Sequence, residues 1–388
     1  MARLGDIATV ITKGTTPTSI GFSFQNSGIN FVKIESLDDN GNFLREKFDH
    51  ISEECHDKLK RSQLQENDIL FSIAGAIGRT AIVTKDILPA NTNQALAIVR
   101  MPKGIINYTF LLYVLQSSVV LEQAEKKKQG VAQLNLSLKD IGDFIIPDFS
   151  LEKQQEIVNG LDKINSIISL RKQQLSKLDE LVKSRFVELF EGGNYPFEPL
   201  DNNVIEMFIG PFGSSLKNEV FVDEEDGFCM VYEQKHAIQK TMDVPTRYVP
   251  KSKYEELKRF TILGGDIIVS CRGTIGEIFV VPNDAPMGIM HPSIMKIRLN
   301  TEKYNQKFFV FALEQYMDEH SAEAKGSGVK MAVSATVLGQ SDFVIPPIDM
   351  QDQFAAFVEQ TDKSKLKIQK SLEQLETLKK ALMQKYFG

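Results

Sequence analysis

The sequence predicts an α+β protein in which two similar domains are separated by two long antiparallel coiled-coil helices, with a pseudo-twofold internal repeat. Three observations support this fold class: a repeat near 198 residues, hairpin-like β patterns beside helical stretches in each half, and a heptad stripe closing each half. The predicted boundaries are 1–150 for the first domain, 151–191 for a central helix, 192–349 for the second domain and 350–388 for a C-terminal helix.

The repeat is clearest in one hairpin-like segment. Residues 66–83 read ENDILFSIAGAIGRTAIV and residues 264–281 read GGDIIVSCRGTIGEIFVV, with seven of the eighteen aligned positions identical. Short runs of Ile, Val and Phe on both sides of a glycine-containing turn predict paired strands. Two unrelated hairpins could converge on such a turn, but the repeat continues elsewhere in the chain.

The repeat extends beyond the hairpin. Residues 130–147 are echoed by 328–346, and residues 3–14 are echoed more faintly by 199–210. Helical stretches also occupy corresponding places in the two halves, as in NYTFLLYVLQSSVVLEQAEKK, which begins at Asn107. The repeated unit therefore has the size of a whole domain with an appended helix.

A narrow apolar stripe predicts a coiled coil at the end of each half. Each helix can run for about 35–39 residues, or roughly 55 Å, which is longer than a helix needs to be to pack on its own domain. Two such helices can bury their seams against each other in antiparallel orientation. The predicted seam residues are Leu161, Ile164, Ile168, Leu175, Leu178 and Val182 in the central helix, with Val358, Ile368, Leu372, Leu375 and Leu382 in the C-terminal helix.

Composition limits the class of protein. An apolar content of 42% suffices for packed cores, and no apolar run approaches the roughly 20 residues of a membrane span, so no membrane partner is expected. Three widely separated cysteines predict a reduced, cytoplasmic location without a disulfide framework. The formal net charge is −6, and residues 192–349 hold 15 basic against 22 acidic residues, which argues against nucleic-acid binding by charge alone.

No catalytic or metal site is predicted. The chain has no phosphate-binding loop of the GxxxxGK[ST] type, and its five histidines show no HExxH spacing. The segments IIPD (145–148) and VIPP (344–347) superficially resemble the adenine-binding motif of amino-methyltransferases, but they lack its leading polar residue and its closing aromatic. We therefore expect this chain not to be a methyltransferase itself.

Polar loops at corresponding places in the two halves offer candidate DNA-binding residues. Lysine side chains bind phosphates, while Gln and Asn can read adenine edges in the major groove. Each residue taken singly is more often a solvated surface group, and it is the recurrence at equivalent places in both halves that favours DNA binding. The candidates are Lys13, Arg79, Lys126, Lys127, Lys128, Gln133, Asn135, Lys217, Arg272, Lys325 and Lys330.

Taken together, these features resemble the specificity subunit of type I restriction-modification systems over nearly the full length. The resemblance rests on the duplicated hairpin, the passage GVAQLNLSLKDIGDFIIP (130–147), the two long helices, and Leu-Gly-Asp-Ile at residues 4–7 followed by GTTP. The second half departs from this pattern, because PLDNNVIEMFIG (199–210) lacks the Leu-Gly-Asp-Ile form.

The resemblance implies a non-catalytic subunit that reads a bipartite double-stranded DNA target with two target-recognition domains. The two helices would set the spacer between the half-sites and would dock two methyltransferase subunits, which bind S-adenosylmethionine and methylate adenine. Restriction subunits using ATP and Mg²⁺ can join that complex. No cofactor is expected in this chain itself.

Two other classes of function remain alternatives at this point. The overall acidity is compatible with a non-DNA scaffold that carries two protein-binding domains on a coiled-coil rod. An enzyme is a further alternative, and binding of S-adenosylmethionine by the chain alone would favour it.

Overall fold

The computed structural model describes residues 1–127, 135–272, 274–327 and 334–388, without the side chains of residues 321–327. The chain divides into two compact units. The first unit combines Met1–Gln174 with Ile368–Gly388, and the second unit is Leu175–Lys367. The first unit therefore contains both the beginning of the described chain and its C-terminal end.

The first unit contains short strands followed by helices. Its strands are β1 (Ala2–Arg3), β2 (Val10–Lys13), β3 (Ile29–Val32), β4 (Asp49–Ile51), β5 (Ile69–Ser72), β6 (Thr80–Ile82), β7 (Ala90–Thr92), β8 (Leu96–Arg100) and β9 (Ile145–Ile146). Its helices are α1 (Leu4–Ile7), α2 (Glu53–Lys58), α3 (Tyr108–Gln116), α4 (Ser118–Lys127) and α5 (Leu138–Gly142), and the long α6 (Leu151–Phe186) begins in it.

These strands form three small sheets. An antiparallel sheet has the order β2-β8-β5-β6, a mixed sheet has the order β4-β3-β7, and β1 pairs with β9. Strands β5 and β6 are the hairpin predicted from the repeat, with Ile69 opposite Ile82. All four residues of β5 are buried, because both faces of this central strand pack against apolar side chains.

The second unit repeats this architecture. Its strands are β10 (Phe197–Pro199), β11 (Val204–Ile209), β12 (Cys229–Tyr232), β13 (Tyr248–Val249), β14 (Thr261–Ile262), β15 (Ile267–Ser270), β16 (Ile278–Val280), β17 (Gly288–Met290), β18 (Ile294–Leu299) and β19 (Asp342–Val344). Its helices are α7 (Gln234–Gln239), α8 (Lys251–Glu256), α9 (Gln306–Ser327) and α10 (Ala335–Gln340), and the long α11 (Ile348–Phe387) begins in it.

The sheets of the second unit follow the order of those in the first, with one further strand, β14, in the mixed sheet. The orders are β11-β18-β15-β16 and β13-β12-β17-β14, and β10 pairs with β19. Each unit has one parallel pair, β3 with β7 and β12 with β17, in the equivalent sheet. The predicted α+β class and internal repeat are therefore confirmed.

The two long helices each contribute to both units. In the first unit, Phe387 near the end of α11 is 1% exposed and shares a core with Ile157 and Leu161 of α6. Farther from this core, the Lys172 ammonium of α6 lies 3.5 Å from the Glu376 carboxylate of α11. As the residue number rises on α6 it falls on α11, so the two helical segments run antiparallel.

The second unit contains the other halves of these helices, again antiparallel. Phe186 of α6 packs edge-on against Phe354 of α11, with ring centroids 5.5 Å apart. The Asp179 carboxylate forms an ion pair with the Lys365 ammonium at 2.6 Å. None of the eleven predicted seam residues is classed as exposed. Lys379, a polar residue that interrupts the apolar stripe of the C-terminal helix, is also half-buried, and this burial lowers its pKa.

A buried ion pair occurs at the same place in both domains. The Asp68 carboxylate is 0% exposed and accepts two hydrogen bonds of 2.7 Å from Arg100, and Asp266 accepts two bonds of 2.7 Å from Arg298. Each aspartate also accepts a backbone N–H at 2.8 Å, just ahead of the central strand. In the first domain the pair joins Arg100, the last residue of β8, to Asp68, which directly precedes β5. A buried carboxylate requires such a partner, since its charge is otherwise unfavourable in the protein interior.

A glutamine fastens the start of each long helix. The side-chain oxygen of Gln154 accepts the backbone N–H of Asn107 at 2.8 Å, and that of Gln351 accepts the N–H of Asn305 at the same distance. Both glutamines are buried, and both asparagines precede the helix that packs on the main sheet. This repeated contact fixes each long helix to its own domain.

Among the described residues, no helix has both the length and the apolar composition that crossing a membrane requires.

Candidate nucleic-acid interface

Three loops converge at one end of the main sheet in each domain. In the first domain, β2 ends where β8 begins, with Lys13 opposite Ala97, and β5 ends beside the same strand, with Ser72 opposite Leu96. Because these strands are antiparallel, the segments after β2, after β5 and before β8 meet at one edge. We call residues 13–17, 73–79 and 93–95 the first sheet end.

The second domain places equivalent segments together. Gly210 after β11 donates its N–H to the Ile294 carbonyl at 3.0 Å, and Cys271 after β15 donates to the Ser293 carbonyl at 2.8 Å. We call residues 210–217, 271–277 and 291–293, of which Gly273 is not described, the second sheet end.

A glycine that leaves no room for a side chain begins the first loop in each domain. A Cβ at Gly14 would lie 1.9 Å from the Thr92 carbonyl oxygen, and one at Gly210 would lie 2.3 Å from the His291 carbonyl oxygen. Only glycine permits this close backbone approach. The faint sequence match of 3–14 with 199–210 therefore marks one structural position.

A serine organises the repeated hairpin turn. The Ser72 hydroxyl donates to the Ala76 carbonyl and accepts the Arg79 N–H at 2.8 Å. The Ser270 hydroxyl donates to the Thr274 carbonyl at 2.6 Å and accepts the Glu277 N–H at 3.0 Å. The repeated serine thus holds the turn in place and is not itself available to a ligand.

The first sheet end presents polar side chains. Lys13 is exposed, and the Thr16 hydroxyl donates to the exposed Gln94. Asn135 lies against this end through an isolated antiparallel bridge to Ala74. The structure therefore brings together three residues of the sequence-based set, Lys13, Arg79 and Asn135, and adds Gln94, which sequence reasoning missed.

The second sheet end has a different chemistry. Arg272 and Lys217 are exposed, and Phe212 is 88% exposed. The Nδ1 atom of His291 lies 2.8 Å from the Ser293 hydroxyl. Burial lowers the pKa of His291, so its ring is neutral at pH 7 and offers a hydrogen bond in place of a charge.

Two candidates already have carboxylate partners in the structure. The Arg79 guanidinium donates to the Asp39 carboxylate at 2.8 Å and to the Leu37 carbonyl at 3.3 Å. The Lys127 ammonium lies 3.3 Å from the Asp143 carboxylate. Lys126, in contrast, is exposed at the end of α4.

The remaining candidates fall on parts of the chain that the structure does not describe. Lys128, Gln133 and Lys330 lie outside the described residues, and Lys325 lies in the part of α9 whose side chains are not described. All of these residues stay predictions.

A basic cavity beside β2 was not foreseen. It has a volume of about 310 Å³, and the exposed Lys60 and Arg61 lie at its margin. It is lined by Val10, Thr12, Lys60, Arg61, Gln63, Gln65 and Arg100. The amide groups with Lys60 and Arg61 favour an anion such as a phosphate group, whereas the Arg100 guanidinium is already paired with Asp68. The only sequence signal was the pair Lys60-Arg61, which looks like any surface charge.

No metal centre is built from the side chains in the described ranges, where His, Cys, Asp and Glu form no group of three or more that could hold a metal ion.

The family model and the similar proteins all point to one family. The model of the "Type I restriction modification DNA specificity domain" matches residues 1–180 and again 227–378. The EcoBI type I restriction enzyme specificity subunit of Escherichia coli is 33% identical over 174 residues, which are 42% of this chain and 35% of that relative. A Methanocaldococcus jannaschii protein, named as an MjaX type I restriction enzyme specificity subunit, is 24% identical over 98% of this chain and 91% of its own length.

Solved structures share the fold. A chain from a structure describing complex assembly and conformational transition of the type I R-M system has a TM-score of 0.68 and 17% identity, covering 99% of this chain and 96% of its own. The type I restriction-modification S subunit from M. genitalium has a TM-score of 0.52 and 15% identity, covering 100% and 95%. On the two family matches, which together span most of the sequence, this chain belongs to the family of type I restriction-modification DNA specificity subunits.

Proposed function

We propose that this chain is the DNA-recognition subunit of a type I restriction-modification complex and that its two domains read the two halves of a split duplex target. One observation carries the proposal: the domains share one loop framework but fill it with different side chains. The first sheet end has Lys13, Gln94 and Asn135, whereas the second has Phe212 and Arg272. Two equivalent loop frameworks that carry different side chains suit the recognition of two different half-sites on one DNA duplex.

The proposed partners are two methyltransferase subunits and, where present, restriction subunits. S-adenosylmethionine would be bound by the methyltransferase subunits, and ATP with Mg²⁺ by the restriction subunits. We propose that this chain is non-catalytic and holds no cofactor of its own. Support comes from the family match, which describes a DNA specificity domain, and from the fold neighbour taken from a type I R-M assembly.

The acidic second domain is the strongest objection to DNA binding. Many of its carboxylates are already paired within the second unit, as Glu206 is with Lys296 and Arg298, and Glu233 is with Arg247. Such pairs cancel locally, while the exposed Arg272 and Lys217 remain at the sheet end. A local basic face on an acidic protein is sufficient for phosphate contacts.

The acidity of the second domain favours a second candidate function, in which the chain is a coiled-coil scaffold and its two domains bind proteins. Salt separates the two functions, because contacts to phosphate weaken steeply as salt concentration rises. If the chain with its methyltransferase partner gives no detectable complex with DNA at low salt, the scaffold is favoured.

Deleting the gene should remove one methylated motif from the genome. We expect adenine methylation at a bipartite motif to be present in cells with the gene and absent without it. Single-molecule methylation mapping of both strains measures this directly, and restoring the gene is the control. An unchanged set of methylated motifs, in cells shown to express the methyltransferase partner, would contradict the proposal.

Lengthening both long helices should lengthen the unread gap between half-sites. We propose that α6 and α11 set that gap. Seven residues inserted after Gln174 and seven after Lys367 add two helical turns, about 10 Å, and keep the heptad seam in phase. Since base pairs are about 3.4 Å apart, the gap should grow by at most about three base pairs with both half-sites unchanged.

Methylation mapping of the strain with both insertions reads out the gap. A strain with the insertion in only one helix serves as the control, because its seam is mismatched and it should lose methylation. Altered base identities with an unchanged gap would overturn the assignment of the helices as the spacer.

A further inference from the structure

Phe212 is an unusual surface residue. At 88%, it has the highest exposed fraction of any large apolar side chain among the described residues. No ring contact between Phe212 and another aromatic residue occurs in the described part of the chain, whereas several phenylalanines of the second unit, such as Phe186, Phe308 and Phe354, pack on one another. Single exposed apolar side chains are common on protein surfaces, so the position of this ring becomes informative only through the loop that holds it and the charges beside it.

The loop that presents Phe212 is held at both ends. Gly210 packs against the His291 carbonyl, and Pro211 is buried. Leu216 at the other end is 5% exposed and belongs to a core cluster of the second domain. The Phe212 carbonyl accepts the Ser215 N–H at 2.8 Å. The ring is therefore displayed by an anchored turn, and ordering it against a ligand costs little further conformational entropy.

The surroundings of Phe212 fit a nucleic acid better than a protein. Gly213, Ser214 and Ser215 follow it, so the chain directly after the ring adds no apolar side chain of the kind that forms a protein-docking hot spot. Among the described charged residues of this sheet end, Arg272 and Lys217 are exposed, whereas the single carboxylate, Glu277, is half-buried. An exposed aromatic ring on a sheet end that also carries exposed cations suits stacking on a base beside the phosphate backbone.

We propose that Phe212 inserts at a base step and stacks on a base of the DNA half-site that the second domain contacts. The inference rests on the proposed function and extends it by naming the residue and the mode of contact. Insertion of an apolar side chain partly unstacks a step and favours flexible sequences there, so Phe212 would contribute to selectivity without hydrogen bonds. The first domain has Thr16 in the corresponding loop, so this contact belongs to the second half-site alone.

Binding measurements with the full chain and its methyltransferase partner test the proposal. The probe is a duplex oligonucleotide carrying the motif found by methylation mapping, with a duplex of scrambled second half-site for comparison. Phe212→Ala should weaken binding to the motif by about 5- to 150-fold, the range for losing one base–aromatic contact. Phe212→Tyr, which keeps the ring, should bind nearly as the wild type does.

Phe197→Ala is the matched control, because Phe197 is 59% exposed in the same domain but lies before β11, whereas Phe212 follows it. This control should leave binding unchanged. Unchanged binding by Phe212→Ala, equal losses in the two alanine variants, or loss of methyltransferase assembly in place of DNA affinity would overturn the inference. If the wild-type complex itself does not prefer the motif duplex, the proposed function fails first.

Fluorescence gives a direct readout of stacking. The chain contains no tryptophan, so Phe212→Trp introduces a single reporter, and the wild-type complex supplies the background from its partners. We expect the added emission to be quenched when the motif duplex binds, because a base stacked on the indole quenches it. Phe197→Trp should not respond. If the emission of Phe212→Trp is not quenched while the duplex is bound, the inference is also overturned.

Discussion

Replacing Phe387 by alanine should destabilise the first unit by about 3–5 kcal/mol, the cost of removing a buried phenylalanine ring. The side chain is 1% exposed. Its ring contacts that of Phe110 with centroids 5.7 Å apart, and it shares a core with Ile157 and Leu161. This burial shows that the last turn of α11 completes the first core.

Hydrogen exchange measures this effect unit by unit, which matters because a chain with two compact units need not unfold in one step. Protection should fall in the first unit and be kept within residues 175–367. Leu378→Ala is the control, since Leu378 lies on the same helix and is 48% exposed. Equal loss of protection in both units, or none in either, would contradict the expectation.

Removing the arginine of a buried ion pair should cost about as much, roughly 3–5 kcal/mol, because it leaves a carboxylate without a counter-charge in the protein interior. In the first domain the change is Arg100→Met. Asp68 is 0% exposed and accepts both of the guanidinium hydrogen bonds at 2.7 Å. Those hydrogen bonds also raise the pKa of Arg100, so the guanidinium stays charged at any pH at which the protein is folded.

The double variant Asp68→Leu with Arg100→Met separates the loss of a partner from the worth of the pair. Apolar side chains of similar size often replace a buried pair at little cost, so we expect the double variant to recover most of the lost stability. Hydrogen exchange read within the first unit, as for Phe387→Ala, supplies the free energies of unfolding. Arg79→Met is the matched control: its partner Asp39 is 81% exposed, and exposed pairs contribute about 0–1 kcal/mol.

The duplication supplies an independent replicate of this experiment. Arg298→Met should destabilise the second unit by a similar amount, since Asp266 is 1% exposed and bonded in the same way. If Arg100→Met lowered the free energy of unfolding no more than Arg79→Met does, the buried pairs would not contribute to stability. Their recurrence in both domains would then lack an explanation.

Features that depend on local periodicity were accessible from the sequence. The hairpins came from apolar runs around a glycine turn, and the long helices came from apolar steps of three and four residues. In the structure the two long helices are Leu151–Phe186 and Ile348–Phe387. The same sequence could not reveal the polar contacts that repeat with the fold, such as Gln154 with Asn107, because each joins segments far apart in the chain.

The candidate site was less accessible, because a loop composition does not tell which side chains already have partners. Arg79 and Lys127 looked like free cations, yet carboxylates from elsewhere in the first unit engage them. Gln94 and Phe212 carried no motif at all. Their importance comes from the sheet end on which they lie, and strand pairing between distant segments creates that position.

By itself the sequence determined that the chain is a duplicated α+β protein with two long helices, since side-chain periodicity and self-similarity are written along the chain. Only the tertiary structure decided that Phe387 closes the first core and that Gly14 and Gly210 start equivalent loops. It also decided which polar and aromatic groups share an edge. The physical reason is that antiparallel pairing and burial join residues by free energy of packing, without regard to their separation in sequence.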